Sequence, residues 1–545
     1  MDGSVGVDFG TSTTFVAATD RRGRTQVLPL GSVAHSADLF LPSVARPLGG
    51  DYVVGEEPSN QAAGVIRSVK RAITRNLHIV ATLGAEPQEC AADEVIAAIM
   101  RETVIRIRRI TPKALDGRPI RLGCPAMWDG HQRRRLTSIA EASGLAVAVN
   151  DVVDEPIAAG VGWVNEERAA GRHVSGRVLV VDIGGGTLDI AFLDVVDDGR
   201  QPTFNVLSAD AQDSAGDDID DLIAAELAQG LAGQGRDPAD SADPLAADAL
   251  LKQAARQLKI RLSSAREASV GVPDLLGVAQ VSYSRSGLEH LLQPMLRQTE
   301  GLARSVIASG RLRERNASSP EQIRAALSQV FSDVQHVLLT GGTSQIPIVR
   351  DHFTALFADA HVVWSQSVGA QQAVAMGLAA ADDYKHLNLH RPPFDLVAVA
   401  NDGSESVLYE AFTPLYEPWQ VQSGHTQLGY TAVLKDNGRT RRTTHLVCRD
   451  LGGRHIPIVT LGRGGSVTER DSLPFDVPTD GRGSIKLYVD GKLVLNCAGG
   501  PSTYRMKSWP VLRSDDRGVP SPIVWQEEPR QHHDAMTYRD SGEPG

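Results

Sequence analysis

The sequence predicts an α/β fold with a duplicated core over its first 380 or so residues, followed by a β-rich region. Three observations predict it. Short apolar runs alternate with helical patterns up to about Ala381. The stretch Val7-Asp8-Phe9-Gly10-Thr11-Ser12-Thr13-Thr14 returns in altered form as Val181-Asp182-Ile183-Gly184-Gly185-Gly186-Thr187-Leu188. Beyond a Pro-Pro linker the runs become short and strand-like, and no long helical pattern follows.

Gly3–Val7 and Thr14–Ala18 read as strands around the first Gly turn, and DRRGRTQVL continues as a hairpin through Asp20 and Gly23. Asp93 is placed to cap a helix starting at Glu94, with Val95, Ile96, Ile99, Val104, Ile105 and Ile107 as its apolar face. IRLGCPAMW is a strand closed by a Pro turn, and HQRRRLTSIAEASGL is a helix. VLVVDIGGGTLDIAFLDV repeats strand, turn, strand. DDIDDLIAAELAQGL and ALLKQAARQLKIRLSS are helices joined by a loop, and HVLLTGGTSQIPIVRDHFTALF is strand, Gly turn, helix. The expected organisation is 1–383 as one α/β domain, 384–393 as linker, 394–500 as a β-rich, sandwich-like domain and 501–545 as a disordered tail. In the β-rich part, Asp490-Gly491 supplies the tight turn of a hairpin between Ile485/Leu487/Val489 and Leu493/Leu495.

Bulk properties narrow the function. The 545 residues exceed one core. A net charge of −11 argues against general nucleic-acid binding, and the run Arg133-Arg134-Arg135 reads as a solvated helix face. Four scattered cysteines make no CxxC pair, and no apolar run reaches membrane-spanning length. With a strand starting by Ser4, no signal peptide is expected and a cytoplasmic location follows.

A turn that approaches phosphate needs outward N–H groups and no Cβ in the way. Gly10-Thr11-Ser12-Thr13 and Gly184-Gly185-Gly186-Thr187 meet both needs, and no Walker A pattern competes with them. Asp8 and Asp182 precede the two turns. A carboxylate beside a phosphate cradle makes sense when Mg2+ or water lies between them. Two such turns suggest a duplicated fold gripping phosphates from both sides.

With SVKRAITR, CPAMWDGHQRR…AEASGL…VVDEPIAAGVGW and VLLTGGTSQIPIVRDHF in order around these turns, residues 4–380 resemble the Hsp70 (DnaK-like) chaperones of the actin-like ATPase superfamily. The resemblance implies a two-lobed, actin-like (ribonuclease H-like) domain that binds ATP or ADP with Mg2+ and hydrolyses ATP slowly. It implies that Asp8 and Asp182 hold Mg2+ through water, that Lys70 meets the γ-phosphate, and that Glu155 is an acid behind metal or water. Thr187 would reach the γ-phosphate and Asp189 would set the water network. Gly216 would touch phosphate, with Ala215 in place of a first glycine. Lys259 and Ser263 would reach ribose and base, and Gly341 and Gly342 would lie against ribose and α-phosphate. Ile260 and Gln345 stand where the family sandwiches adenine between arginines, and Gln371 replaces an acid, so weaker nucleotide binding is expected. Pro125 and Arg133 match residues that relay nucleotide state to the neighbouring domain. The implied partners are unfolded or extended polypeptide, or a dedicated protein, with a possible co-chaperone or exchange factor, and neither nucleic acid nor membrane. The other readings are a nucleotide-gated assembly protein without general chaperone activity and, more remotely, a small-molecule kinase.

Overall fold

The computed structural model describes residues 3–527 apart from 34–36, 60–63, 84–85, 149–150, 273–276, 315–327, 329, 365–368, 382–386, 388–389, 417–419, 421–428, 434–442, 462–466, 477–482, 489–491, 498–499 and 507–523. The strand Val5–Phe9 turns at Gly10 into the antiparallel strand Thr13–Thr19, which pairs onward with Thr25–Val27. Ile120–Cys124 then lies parallel to the first strand, and Val152–Asp154 parallel to that. From Gly176 the plan repeats. Gly176–Ile183 pairs antiparallel with Leu188–Val196, which pairs with Thr203–Gln212. His336–Thr340 and His361–Trp364 add in parallel on the other side. Both sheets therefore run third, second, first, fourth, fifth strand, with Phe40–Pro42 added to the second strand of the first sheet. The duplication expected from the two Gly turns is a duplication of topology.

Parallel strands need crossovers, and helices supply them. Glu155–Ala169 follows the last strand of the first sheet but packs on the strands of the second. Gly369–Ala380 follows the second sheet and packs back on the first. The two helices cross against each other at the centre, where glycines let the backbones meet. A Cβ on Gly377 would overlap the carbonyl of Ala158, and one on Gly162 the carbonyl of Ala373.

The outer layers differ between the halves. In the first, the helix Ala92–Ile110 buries Val95, Ile96, Ile99, Val104 and Ile107, whereas Ile105 points outward. This helix starts two residues before the expected Glu94, after an extended Ala91, and Asp93 pairs with Arg135 at 2.8 Å rather than capping. In the second half, Gly216–Ala232, Pro244–Leu262 and a long helix, Arg285–Glu314, cover the sheet. No helix among the described residues is long and apolar enough to cross a membrane.

The β-rich region forms two sheets. One runs Glu405–Tyr409, Phe394–Ala400, Thr443–Asp450, His455–Ile456, with Leu473–Asp476 also on Thr443–Asp450. The other has seven strands in the order Gly429–Val433, Ser484–Tyr488, Lys492–Cys497, Gly500–Met506, Val524–Glu527, Ile458–Leu461, Val467–Arg470. Leu396, Leu446 and Cys448 of the first share one core with Ile485, Leu487, Leu493 and Leu495 of the second. The expected hairpin strands pair as Ile485 with Leu495 and Leu487 with Leu493, while Asp490-Gly491 falls outside the described residues. Pairing continues past the expected end at 500, because Tyr504 sits opposite Leu493 and shares its core. Val524–Glu527 also joins this sheet; the rest of the expected tail, 507–523 and 528–545, lies outside the described residues. Of the expected linker, His390 and Arg391 are buried.

Candidate functional site

The two Gly turns close with the same hydrogen bond. Gly10 N–H donates to Thr13 O at 3.1 Å, and Gly184 N–H donates to Thr187 O at 3.0 Å. They face each other directly. A Cβ on Gly185 would sit 2.7 Å from Ser12 Oγ, and one on Gly186 would sit 2.7 Å from Thr11 Oγ1. Larger residues there would push the halves apart. Between the halves lies a cleft of about 750 Å3. Its walls include Asp8, Gly10, Thr11, Ser12, Thr13, Glu155, Asp182, Gly184, Gly185, Thr187 and Asp189. Lys259, Ser263, Gly341, Gly342, Gln345, Ile260 and Gln371 line it too. The sequence therefore brought most of its candidate residues to one cavity.

Lys70, Gly186 and Gly216 adjoin that cavity without lining it. Lys70 opens the helix Lys70–Arg75 and pairs with Glu155, both largely buried. Gly216 opens its helix against the second turn: its N–H donates to Gly184 O at 3.2 Å, and Lys259 Nζ donates to its carbonyl at 2.6 Å. Ala215 is buried in an extended conformation just before it. Gly341 has φ +83°, and a Cβ there would overlap Asp182 Oδ1 and Ile183 O. Only glycine allows that approach. Thr343 Oγ1 donates to Gly184 O at 3.0 Å, tying the third Gly turn to the second. At the far end Ile260 is 62% exposed. It offers an apolar branch at the position where, by the resemblance, the family places an arginine against the base.

The electrostatics are dominated by acids. Asp8, Asp182 and Asp189 sit near Glu155, with Lys70 as the counter-charge. Burial first, then the Glu155 charge, raises Asp8 to about 7, with Lys70 pulling the other way. The same two causes raise Asp189 to about 8, against hydrogen bonds from Thr187 and Ala126. Burial, Asp189 and Glu155 hold Asp182 well above the usual carboxylate range. Burial opposes charge on Lys70, but Glu155 and Asp8 outweigh it and raise its pKa. Such a set of crowded carboxyls favours a cation or protons. No group of three or more His, Cys, Asp or Glu among the described residues is placed to ligate a metal directly.

Cross-cleft contacts that sequence reasoning missed join the two halves. Arg71 meets Asp218 at 3.1 Å and Asp213 at 3.5 Å, Arg75 pairs with Asp213, and Ser68, at φ +54°, donates to Asp217. Arg67 and Arg256 also line the cleft. A local signal existed for Arg256, which stands three residues before Lys259 on the same helical side; Arg67 also stands three residues before a candidate lysine but lies outside the helix, so its place in the cleft was not legible.

Arg133 is fully buried, bonded to Trp128 O at 3.0 Å, Val152 O at 3.2 Å and Asp154. Its guanidinium stands 4.0 Å from the ring of Phe412, at the edge of the β-rich region. Arg134 reaches Asp395 at 3.2 Å and also Glu410. The three-arginine run is thus ion-paired throughout and is not the solvated face its composition suggested. Pro125 caps its strand, with Trp128 N–H donating to its carbonyl at 3.0 Å.

Comparison with known proteins agrees with this geometry. The family model described as Hsp70 protein matches residues 4–383. A chaperone protein DnaK of Endomicrobium trichonymphae is 28% identical over 369 residues, 66% of this chain and 53% of that protein. A chaperone protein HscA of Cronobacter sakazakii is 29% identical over 402 residues, 70% of this chain and 58% of that protein. An HscA homolog of Acidithiobacillus ferrooxidans is 28% identical over 407 residues, again 70% and 58%. The matches thus span little more than half the length of these relatives. With paired Gly turns, crossed helices and a family model over most of its length, the chain belongs to the Hsp70 protein family.

Proposed function

We propose that this chain is an ATP-hydrolysing switch in which residues 1–383 bind and hydrolyse ATP and control a β-rich domain, 394–500 and its added strands, through the linker 384–393. The observation that carries the reading is the pair of facing Gly turns, with Asp8 and Asp182 on the walls of one cleft. Phosphoryl transfer to water asks mainly for positioning and charge neutralisation. Gly10–Thr13 and Gly184–Thr187 offer backbone N–H groups and hydroxyls to phosphate oxygens from opposite walls. Lys70, held by Glu155, offers a permanent cation at the inner end of the cleft. Asp189, bonded to Ala126 N at 2.7 Å, is fixed in place to orient water. The hard carboxylate oxygens of Asp8 and Asp182 suit Mg2+ held through water, which when bound would neutralise phosphate charge. Lys259, Ser263, Gly341, Gly342 and Gln345 would hold the nucleoside.

The family tie and the DnaK and HscA relatives support a chaperone role in the cytoplasm, with extended polypeptide as the bound class and a co-chaperone or exchange factor as further partner. The test is phosphate release from ATP with Mg2+ and no added acceptor, alongside anisotropy of a labelled unfolded peptide. Release that stops with chelator, and peptide affinity that changes with ATP, are expected. No ATP binding would sink the reading. Hydrolysis without peptide binding would leave a switch for a dedicated partner, and release only with a small-molecule acceptor would make it a kinase.

A further inference from the structure

Two segments of the second half lead away from its Gly turn along the cleft. Thr343 Oγ1 donates to Gly184 O at 3.0 Å, and Gln345 and Ile346 follow it. Lys259 Nζ donates to Gly216 O at 2.6 Å, beside the same turn, and Ser263 ends that helix about 6 Å further along its axis. A nucleotide with its phosphates on the Gly turns would therefore extend its base toward Ser263, Ser264 and Gln345. Ile260 and Ile346 line the cleft on the same two segments, and Gln371 adds a second amide from the helix Gly369–Ala380. The charged lining residues stand elsewhere. Asp8, Glu155, Asp182 and Asp189 gather around Lys70. Arg256 is one turn before Lys259, and Arg67 feels Asp217, whose N–H donates to Gly185 O at 2.7 Å. Among the described residues, the polar lining beyond Lys259 and Thr343 is thus hydroxyl and amide, without a charged side chain.

Telling adenine from guanine takes a polar group whose sense, donor or acceptor, is fixed. Adenine offers a donor at N6 where guanine offers an acceptor at O6. A carboxylate only accepts and an ammonium or guanidinium only donates, whereas a hydroxyl rotates and an amide carries both a donor and an acceptor. Neighbours could still lock a hydroxyl or an amide, but the bonds here are long. Ser263 Oγ donates to Lys259 O at 3.4 Å, Ser264 Oγ to Arg261 O at 3.2 Å and Gln345 Nε2 to Ser344 Oγ at 3.4 Å. The phosphate end is held more tightly, with Lys259 at 2.6 Å from Gly216 O and 2.8 Å from Asp220. Ile260, largely exposed, supplies apolar surface that a flat ring would cover without reading its edge.

We propose that the cleft takes adenine and guanine nucleotides alike, with Gln345 and Ser263 turning to pair with either purine and Ile260 covering its face. This rests on the nucleotide reading above and widens its substrate class to purine nucleotides. Selection among ligands then comes from the phosphate end, where donors and acceptors are fixed. A pyrimidine, with a single ring, covers less of Ile260 and binds more weakly.

The test is titration calorimetry on the full chain with Mg2+ and ADP, GDP or CDP. ADP and GDP are expected to bind within about threefold of each other, and CDP about fivefold or more weakly than either. Gln345→Glu leaves a side chain that only accepts, and Gln345→Lys one that only donates. The ratio of ADP to GDP affinity should therefore shift in opposite senses in the two variants, by about fivefold or more each, with folding checked by circular dichroism. A preference of more than about threefold for either purine in the parent protein overturns the proposal. So does a ratio that stays put, or moves the same way, in both variants, because Gln345 then does not read the base. CDP binding as tightly as the purines overturns it too, since the base would then go unheld. Each of these results leaves the nucleotide reading standing. No binding of any of the three sinks that reading as well.

Discussion

Lys70 is 3% exposed and its ammonium faces Glu155, so the cation is fixed in a buried position beside the cleft. A compact charge with three rotatable donors suits a phosphoryl group that changes shape as it transfers. Lys70→Ala is expected to lower turnover about 100-fold or more while ADP still binds, read by phosphate release and calorimetry. Turnover within twofold of the parent would remove Lys70 from the chemistry. The surrounding acids make a second prediction. Asp8 at about 7 and Asp189 at about 8 lie above the ordinary aspartate value near 4 in an unfolded chain. Between about pH 4 and 8 the folded chain therefore holds more protons than the unfolded one. The stability these carboxyls contribute is complete below about pH 4 and is lost as pH rises through the 7–8 range. Chelator-treated, nucleotide-free protein should show a falling Tm from about pH 6 to 8.5, and Asp189→Asn should flatten the fall. A Tm that climbs over that window, in a melt followed by circular dichroism, contradicts the assignment.

Among the elements, the crossed helices Glu155–Ala169 and Gly369–Ala380 decide whether the halves form one cleft. Gly377 lies so near Ala158 O that any side chain must displace the backbone of the facing helix. Gly377→Val should destabilise the fold by about 3 kcal/mol in urea unfolding, and Gly230→Ala, on an open face of the helix Gly216–Ala232, should cost far less or stabilise slightly. Equal losses would mean that the crossing tolerates separation. The difference between these two glycines was not legible in the chain, because the partner backbone at Ala158 is remote in sequence. What was legible was local. Each Gly turn carries its aspartate, its glycines and its hydroxyls within nine residues, so both hairpins and most of the cleft lining followed from the two stretches. The start of Ala92–Ile110 was misjudged because Asp93 satisfies a cap rule, yet a tertiary partner, Arg135, claims its carboxylate. Arg133, Arg134 and Arg135 resembled a solvated face because Asp154, Asp395 and Glu410 come from segments far along the chain. Tyr504 gives too little periodicity by itself to announce a strand, and only its register with Leu493 makes Gly500–Met506 one.

For the molecule as a whole, one chain of contacts leads from the cleft to the β-rich region. Asp189 accepts from Ala126 N at 2.7 Å, and the carbonyl of the same residue accepts from Arg391 Nη1 at 2.5 Å. Arg391 also reaches Ala209 O at 2.7 Å, Asp210 at 3.1 Å and Phe412 O at 3.4 Å. The segment that follows the strand Ile120–Cys124 is thus held at one residue, Ala126, through its N–H by a cleft carboxylate and through its carbonyl by the linker. Phe412 itself, at φ +62°, occupies a backbone region costly for a bulky residue and is held there over Arg133. A local conformation of that kind persists only while its surroundings enforce it, so this joint should release readily when one contact fails. If the proposed switch runs through this residue, a shift of Asp189 is expected to move Ala126 under Arg391, and the coupling must act equally in both directions where binding is concerned. Arg391→Ala removes the linker's hold and leaves the Asp189 contact intact. Hydrogen exchange across 394–412 should then rise, and the difference in exchange there between ATP-bound and nucleotide-free protein should disappear. Nucleotide affinity should shift by about fivefold, within the usual span of coupling between sites. If exchange across 394–412 keeps its full response to ATP after the substitution, the signal does not pass through Arg391, and the Arg134 pairs with Asp395 and Glu410 become the route to sever next.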